Sequence, residues 1–190
     1  MKFLDFDKPQ TIGQWIIFAA AIGITCTSPY GTRAFLKELK KYIAEKMEAR
    51  RVEIDSRSLT QALYYLRKRK IIKFQKEDGF TNMTLTEKGK KRKLELDFRN
   101  IKIKKPNTWD GKWRIIMFDV PEGMKAWRDA LRDKFKKLGL MRFQKSVWIY
   151  PYECEDEIDF VAETLGIRDH LHFLTVTIEQ DAPMRDFFNL

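Results

Sequence analysis

The sequence has few of the residues that build most catalytic and metal sites. It contains two cysteines and two histidines among 190 residues. Cys26 and Cys154 lie far apart and lack CxxC spacing, which excludes a zinc site of the usual pattern and a disulfide framework, and fits a reducing cytoplasm. His170 and His172 are alternate residues of a predicted strand without a third ligand nearby. We expect them to pack or to face solvent, the alternative being a metal pair.

Motifs that bind cofactors or cross membranes are also missing. No Gly-rich phosphate loop, nucleophile elbow or paired-His metal motif occurs, so we expect no cofactor and no enzymatic activity. The longest apolar run, WIIFAAAIGITC at 15–26, is too short to span a bilayer. The preceding MKFLDFDK carries two Asp beside its two Lys, which is a poor start for a signal peptide. A buried helix, without membrane contact, is the prediction for this run.

What the sequence does have is a strong and uneven positive charge. The formal net charge is +10, with 44% hydrophobic and 13% aromatic residues. Residues 1–105 hold 25 Lys+Arg and 12 Asp+Glu, a net of +13, whereas residues 106–190 hold 12 and 15, a net of −3. This asymmetry predicts that the first half meets a polyanion and the second does not. An ordinary solvated basic surface is the alternative.

The first half reads as three helices followed by a β-hairpin. Thr11 is a candidate cap for a helix through about Ile24, and a second helix is predicted over about 32–48. The third helix, SLTQALYYLRKRK at 58–70, has Asp55 or Ser56 as its cap and an apolar stripe of leucines. Strands near 71–76 and 80–85 flank Glu77-Asp78-Gly79, a strong hairpin signal, and a basic helix follows through about Phe98.

This order predicts a winged helix-turn-helix, whose third helix enters the major groove of duplex DNA and whose hairpin touches flanking backbone. The acidic Glu77-Asp78 tip argues against a wing contact with phosphate, and a helical domain with a solvated face is the alternative. The candidate DNA-binding residues are the polar, aromatic and basic side chains of the third helix and the first hairpin strand: Arg57, Ser58, Thr60, Gln61, Tyr64, Tyr65, Arg67, Lys68, Lys73 and Lys76.

The second half predicts an α+β domain with βαββαβ order, the ferredoxin-like plan. Its elements are strand 113–120, helix 124–138, strands 140–144 and 146–151, helix 155–166 and strand 171–178. The predicted organisation is therefore a winged-helix domain at 1–100, a linker at 101–112 and a ferredoxin-like domain at 113–190. Val147 and Ile149 point opposite to Trp148 and Tyr150, yet all four are apolar or aromatic. We expect something to cover the open sheet face, most simply a second copy of the chain.

Residues 109–151 carry "FD-P" after the first strand, then a helix, "LG" and "FQKSVWIYP". This pattern resembles the PaaX-like transcriptional repressors and the small CRISPR adaptation endonuclease, the second Cas protein, whose ferredoxin-like fold the PaaX central domain shares. LYYLRKRKII and LTEKGKKR are similar to the PaaX-type winged helix, so the resemblance covers about residues 10–178. It implies a dimeric DNA-binding regulator and an aryl-CoA-type effector response. PaaX-like repressors usually continue into a further C-terminal domain, whereas this sequence ends at EQDAPMRDFFNL, so the effector stays open.

Asp119, at the end of the strand WRIIMF, is the one catalytic candidate. The resemblance to the nuclease implies that this aspartate, paired across a dimer axis, would hold Mg²⁺ for phosphodiester hydrolysis. We favour the other interpretation, that Asp119 accepts hydrogen bonds from loop amides before the next helix. Three functions thus stay open: a sequence-specific DNA-binding regulator, which we favour, a metal-dependent nuclease with an appended winged helix, and a non-enzymatic protein-binding adaptor.

Overall fold

The chain forms two compact units that mix helices and strands, which confirms the predicted α+β class. A computed structural model describes residues 4–26, 31–46, 54–77 and 80–190. One unit comprises residues 8–99, and the other comprises residues 100–190 together with the N-terminal residues 4–7. Each unit has its own sheet and its own hydrophobic core. No helix of the described ranges is long and apolar enough to cross a membrane.

The described residues of the N-terminal unit form four helices and a small three-stranded sheet. Its elements are α1 (Ile12–Ile22), β2 (Ile24–Cys26), α2 (Gly31–Lys46), α3 (Ser56–Lys68), β3 (Ile72–Glu77), β4 (Phe80–Leu85) and α4 (Glu87–Asn100), after a short β1 (Asp5–Phe6) that belongs to the other unit. All three predicted helices and both hairpin strands are therefore present. The predicted turn residues Asp78 and Gly79 lie outside the described residues.

The first helix ends earlier than the sequence predicts, and a strand follows it. Thr11 caps α1 in a reciprocal capping box with Gln14, as its side-chain type predicts. Gly23, at φ 78°, then ends the helix in the left-handed conformation that glycine tolerates. The next three residues form β2, antiparallel to β4, so the sheet order is β2-β4-β3. The predicted extension to Ile24 is wrong because this residue pairs with Met83 in the sheet.

The core of this unit lies between the helices and the sheet. Trp15, Ile16 and Leu39, from α1 and α2, are almost fully buried, as are Leu59 and Met83. The buried stripe of α3 consists of Leu59, Leu63 and Leu66, at the helical spacing expected from the sequence. Packing of this stripe against α1 and α2 turns the opposite side of α3 to solvent.

The C-terminal unit has a four-stranded antiparallel sheet. Its elements are β5 (Ile101–Lys102), β6 (Trp113–Phe118), α5 (Lys125–Leu138), β7 (Met141–Gln144), β8 (Val147–Tyr150), α6 (Glu155–Thr164), β9 (Leu171–Val176) and α7 (Ala182–Phe188). The strand order in the sheet is β7-β8-β6-β9. Along the chain, the elements from β6 to β9 follow the predicted order βαββαβ. Inside the segment predicted as a linker, β5 pairs with β1.

The two faces of this sheet have different neighbours. Trp148 contacts Phe135 of α5, with ring centroids 5.4 Å apart, so the Trp148 face is the helix face. Ile149 lies on the other face, in a cluster with Trp113 and with Met184 of α7. We expected something to cover this face, most simply a second copy of the chain, and α7 of the chain itself covers one end of it. The sequence did not predict α7.

Candidate nucleic-acid interface

The ten predicted DNA-contact residues are all exposed in the N-terminal unit. Eight lie on α3 and two, Lys73 and Lys76, on β3. Tyr64 and Tyr65 are 66% and 51% exposed, although they are large aromatic residues. Residues 8–99 hold 21 Lys+Arg against 10 Asp+Glu. The candidate interface is thus an exposed helix in a basic unit.

Four of these residues share one stripe of α3. Arg57, Gln61, Tyr64 and Lys68 stand at i, i+4, i+7 and i+11, opposite the buried leucines. Lys68 Nζ lies 6.0 Å from the centre of the Tyr64 ring, which places the last two side chains of the stripe together. We call these four residues the α3 stripe. It combines a side-chain amide, two cations and an aromatic ring.

The start of α3 is fixed by a side-chain cap. Asp55 accepts hydrogen bonds from the backbone N–H groups of Arg57 (3.2 Å) and Ser58 (2.9 Å), and from the Ser58 hydroxyl (2.8 Å). These bonds, the one from the Ser58 hydroxyl first, lower the pKa of Asp55 below its ordinary value of 3.8. The carboxylate satisfies N–H groups that the first helical turn cannot pair by itself.

Two predicted contact residues have their hydroxyl protons engaged within the helix. Ser58 donates to the Asp55 cap, and Thr60 Oγ1 donates to the carbonyl oxygen of Ser56 at 2.7 Å. Both hydroxyls could still accept a hydrogen bond, but neither proton is free to donate to a base or a phosphate. The α3 stripe is therefore a stronger base-reading candidate than these two side chains.

The structure separates the two lysines of β3. Side chains three residues apart in a strand point to opposite faces, so Lys73 and Lys76 do not form one patch. Lys73 lies near the start of α4, where its charge helps to lower the pKa of Glu87, after the larger effect of the ion pair with Lys90. Arg67, at the flank of α3, has its guanidinium 5.8 Å from the Phe74 ring centre on β3.

The sequence reasoning left out two exposed cations at the end of α3. Arg69 has its guanidinium 4.7 Å from the Tyr65 ring centre, and Lys70 adopts a positive φ of 55°. Both belong to the same RKRK run as Arg67 and Lys68. The RKRK run could have predicted these two residues. Four consecutive cations at the end of a helix extend its positive surface beyond the last turn.

Asp119 is exposed at the end of β6, and its carboxylate makes no hydrogen bond with another described residue. Among the described residues, none of the expected hydrogen bonds from loop amides to this carboxylate is present. The backbone N–H of Asp119 donates to His170 O at 3.0 Å, which continues the ladder between β6 and β9. Within the described residues, no group of three or more His, Cys, Asp or Glu side chains is placed to hold a metal ion.

The C-terminal unit also has an open groove of about 1170 Å³. Arg114 lies at its wall, held by two bonds of 2.7 Å to the Asp110 carboxylate, which lower the Asp110 pKa to about 2, and by the carbonyl oxygens of Lys112 and Pro151. Three cations and six carboxylates line the groove, the latter being Asp5, Asp110, Glu153, Glu155, Asp156 and Glu157. An anionic thioester effector, as the family resemblance implies, is a poor electrostatic match for this lining.

One comparison with known proteins identifies the second unit. Residues 106–187 match the family model of the PaaX protein central Cas2-like domain. This part of the chain is therefore similar to the central Cas2-like domain of PaaX proteins. The match starts in the segment before β6 and extends into α7, and it confirms the PaaX resemblance predicted from FD-P and FQKSVWIYP. No curated protein matches the chain.

Proposed function

We propose that this PaaX-like chain is a DNA-binding transcriptional repressor, and that it binds duplex DNA as a homodimer through a winged helix-turn-helix. The observation that carries the proposal is the α3 stripe, an exposed row of Arg57, Gln61, Tyr64 and Lys68 on a capped helix. Gln can bond both edge atoms of adenine and Arg those of guanine in the major groove, while lysine holds phosphate.

The arrangement of the N-terminal unit supports a winged helix. The third helix precedes a hairpin, and the short strand after α1 joins that hairpin in the order β2-β4-β3. Such a sheet holds the hairpin beside α3, where a wing would reach DNA backbone next to the groove. The net positive charge of this unit supplies the sequence-independent part of the affinity.

The second unit would provide the dimer contact. Its strand order β7-β8-β6-β9 with two helices on one face fits the ferredoxin-like plan. Beyond the part covered by α7, the other face carries Met117, Val147 and Leu174, and Leu174 is 48% exposed. A second copy that covers these side chains would remove apolar surface from water.

We propose no enzymatic activity, no cofactor and a cytoplasmic location where DNA is accessible. The nuclease alternative keeps one specific support, the Cas2-like description of the matched domain. In that case Asp119 from each of two copies would hold Mg²⁺. The two functions differ in what happens to the bound DNA.

The deciding experiment is selection of bound duplexes from a random pool by the full-length protein, with and without Mg²⁺. A regulator enriches one sequence family in both conditions and leaves the strands intact. The matched variant Gln61→Ala should enrich a broader set of sequences. Strand cleavage that needs Mg²⁺ favours the nuclease, and absence of any enrichment contradicts sequence-specific binding.

A further inference from the structure

The near-neutral charge of the C-terminal unit hides a strong internal polarity. Residues 124–145 contain eight Lys+Arg and two Asp+Glu, whereas residues 152–181 contain one Arg and nine Asp+Glu. The first segment comprises α5 and β7, and the second comprises α6 and β9. The net charge of −3 for residues 106–190 therefore describes neither the basic segment nor the acidic segment.

The sheet order separates the two segments in space. Because β7 and β9 are the two edge strands, the basic segment ends at one edge of the sheet and the acidic segment at the other. Arg142 pairs in register with Trp148, whose ring contacts Phe135 of α5, so Arg142 lies on the α5 side of the sheet. Arg132 of α5 donates a 3.1 Å hydrogen bond to Lys145 O, which ties the turn after β7 to the same helix.

Most cations of this region are available for an external anion. Its two carboxylates are already paired, Asp129 with Arg132 at 3.4 Å and Asp133 with Lys136 at 3.8 Å. Five other cations take part in no ion pair with any described residue, and together we name them the α5–β7 surface: Lys125, Arg128, Lys137, Arg142 and Lys145. All are exposed except the half-buried Arg128.

We infer that the α5–β7 surface binds the phosphate backbone of duplex DNA, as a contact additional to the winged helix. This inference rests on the proposed function. The 14-residue helix α5 is about 21 Å long, and cations spread along that length and onto β7 can meet several successive phosphates. Phosphate contacts of this kind add affinity without sequence preference.

The acidic region of a second copy is a weaker candidate for the same surface. Part of its charge is neutralised internally, since Asp159 pairs with Arg168 at 2.5 Å and Asp181 with Arg185 at 2.7 Å. A contact between unlike regions of two copies is also head-to-tail, and repeated contacts of that type form open chains unless the rotation closes. Duplex DNA presents a denser line of negative charge than this region does.

The test measures duplex binding by fluorescence anisotropy over a series of salt concentrations, with the full-length protein and a mixed-sequence duplex several turns long. Lys137→Glu with Arg142→Glu removes two predicted phosphate contacts, and Lys137→Gln with Arg142→Gln removes them without adding negative charge. Lys104→Glu with Lys105→Glu makes the same change of net charge at exposed positions outside the α5–β7 surface. Arg57→Glu with Lys68→Glu reports on the winged helix.

We expect the Lys137/Arg142 reversal to weaken binding on the order of tenfold at moderate salt, and to make the slope of log affinity against log salt shallower by about 1.8. The neutral pair should have a similar slope, and the Lys104/Lys105 control should stay near the parent. An unchanged slope in a folded Lys137/Arg142 variant, with the Arg57/Lys68 variant impaired, overturns the inference and leaves the proposed function standing. If the Lys137/Arg142 variant loses self-association in sedimentation but keeps its DNA affinity, the surface binds a second copy and the inference is overturned. If the parent protein does not bind the duplex at all, both the inference and the proposed function are overturned.

Discussion

The indole nitrogen of Trp113 donates a buried hydrogen bond of 3.0 Å to Asp181 Oδ2, across 68 residues of sequence. Asp181 also accepts a 2.7 Å bond from Arg185 Nε, and the Arg185 guanidinium lies 4.7 Å from the ring centre of Trp109. This network attaches the start of α7 to the first strand of the sheet. It explains why one end of the non-helix face is closed by the chain itself.

The network predicts an acid-sensitive attachment of α7. The Arg185 hydrogen bond, followed by the one from Trp113, lowers the pKa of Asp181 below its ordinary value of 3.8. The charged form is therefore favoured in the folded state, so its stabilising contribution is complete above 3.8 and is lost as the pH falls through the lowered pKa. Melting followed by tryptophan fluorescence should show a larger loss between neutral and acidic pH for the parent than for Asp181→Asn. Asp186→Asn, an exposed change on the same helix, should behave like the parent, and equal acid loss in all three proteins would contradict the assignment.

Recognition of DNA by the α3 stripe predicts that substitutions of Gln61 and of Lys68 affect DNA binding differently. Gln61→Ala removes a base contact and should reduce discrimination between preferred and random duplexes by about 1–3 kcal/mol. Lys68→Ala removes a phosphate contact, so all duplexes should bind more weakly and the salt slope should fall by about 0.9. Binding curves on a selected and a scrambled duplex distinguish the two effects. The assignment is wrong if both variants lose the same amount of specificity.

The uncovered part of the sheet face predicts the dimer contact. Leu174→Asp places a charge on that face and should yield folded monomers, because an unpaired charge in an apolar interface is costly. Thr175→Asp changes the neighbouring exposed residue on the opposite face of β9, and this control should remain dimeric. Light scattering of both proteins gives the masses. Dimeric Leu174→Asp and Val147→Asp proteins would locate the interface elsewhere, whereas Trp148→Asp is expected to disrupt the fold because Trp148 is 1% exposed beneath α5.

Asp119 provides the test between regulator and nuclease. Asp119→Asn keeps the shape of the side chain but removes the charge that a divalent cation needs. We expect the parent protein to leave duplex and single-stranded DNA and RNA intact in Mg²⁺ or Mn²⁺, and Asp119→Asn to bind DNA as the parent does. Glu122→Gln, in the same loop, is the matched control. Cleavage by the parent and by Glu122→Gln, but not by Asp119→Asn, would establish the nuclease instead.

A close backbone approach predicts a large effect at Gly89. A Cβ at this position would lie 2.0 Å from the carbonyl oxygen of Ile71, in the junction where Thr86 Oγ1 accepts from Gly89 N–H at 3.1 Å. Gly89→Ala should lower the free energy of unfolding by about 2–3 kcal/mol, since backbone must move to admit the methyl group. Gly13→Ala, in α1, where a Cβ would lie an ordinary 4.0 Å from Thr11 Oγ1, should be neutral or slightly stabilising. Urea unfolding compares the two, and equal stabilities would contradict the tight junction.

Local signals in the sequence determined the helices α1 to α6, the strands β3, β4 and β6 to β9, and the composition of the α3 stripe. Asp55 accepts from the first N–H groups of α3, as its side-chain type predicts, and the leucine spacing selects the solvent side of the helix. The family pattern FD-P and FQKSVWIYP was likewise sufficient to predict the PaaX resemblance. These features depend on residues close together in the chain, where periodicity and capping act.

The tertiary structure alone decided the features that depend on distant partners. Three residues are too few to show a strand period, so β2 emerged only from its pairing with β4. Strand alternation places Val147 and Trp148 on opposite faces of the sheet, but the β8 side chains on both faces are apolar or aromatic. Only the packing of α5 on Trp148 identifies which face carries the helices. The α5–β7 surface also depends on the tertiary structure. A net charge summed along the chain does not show which side chains the strand order brings together at one edge of the sheet.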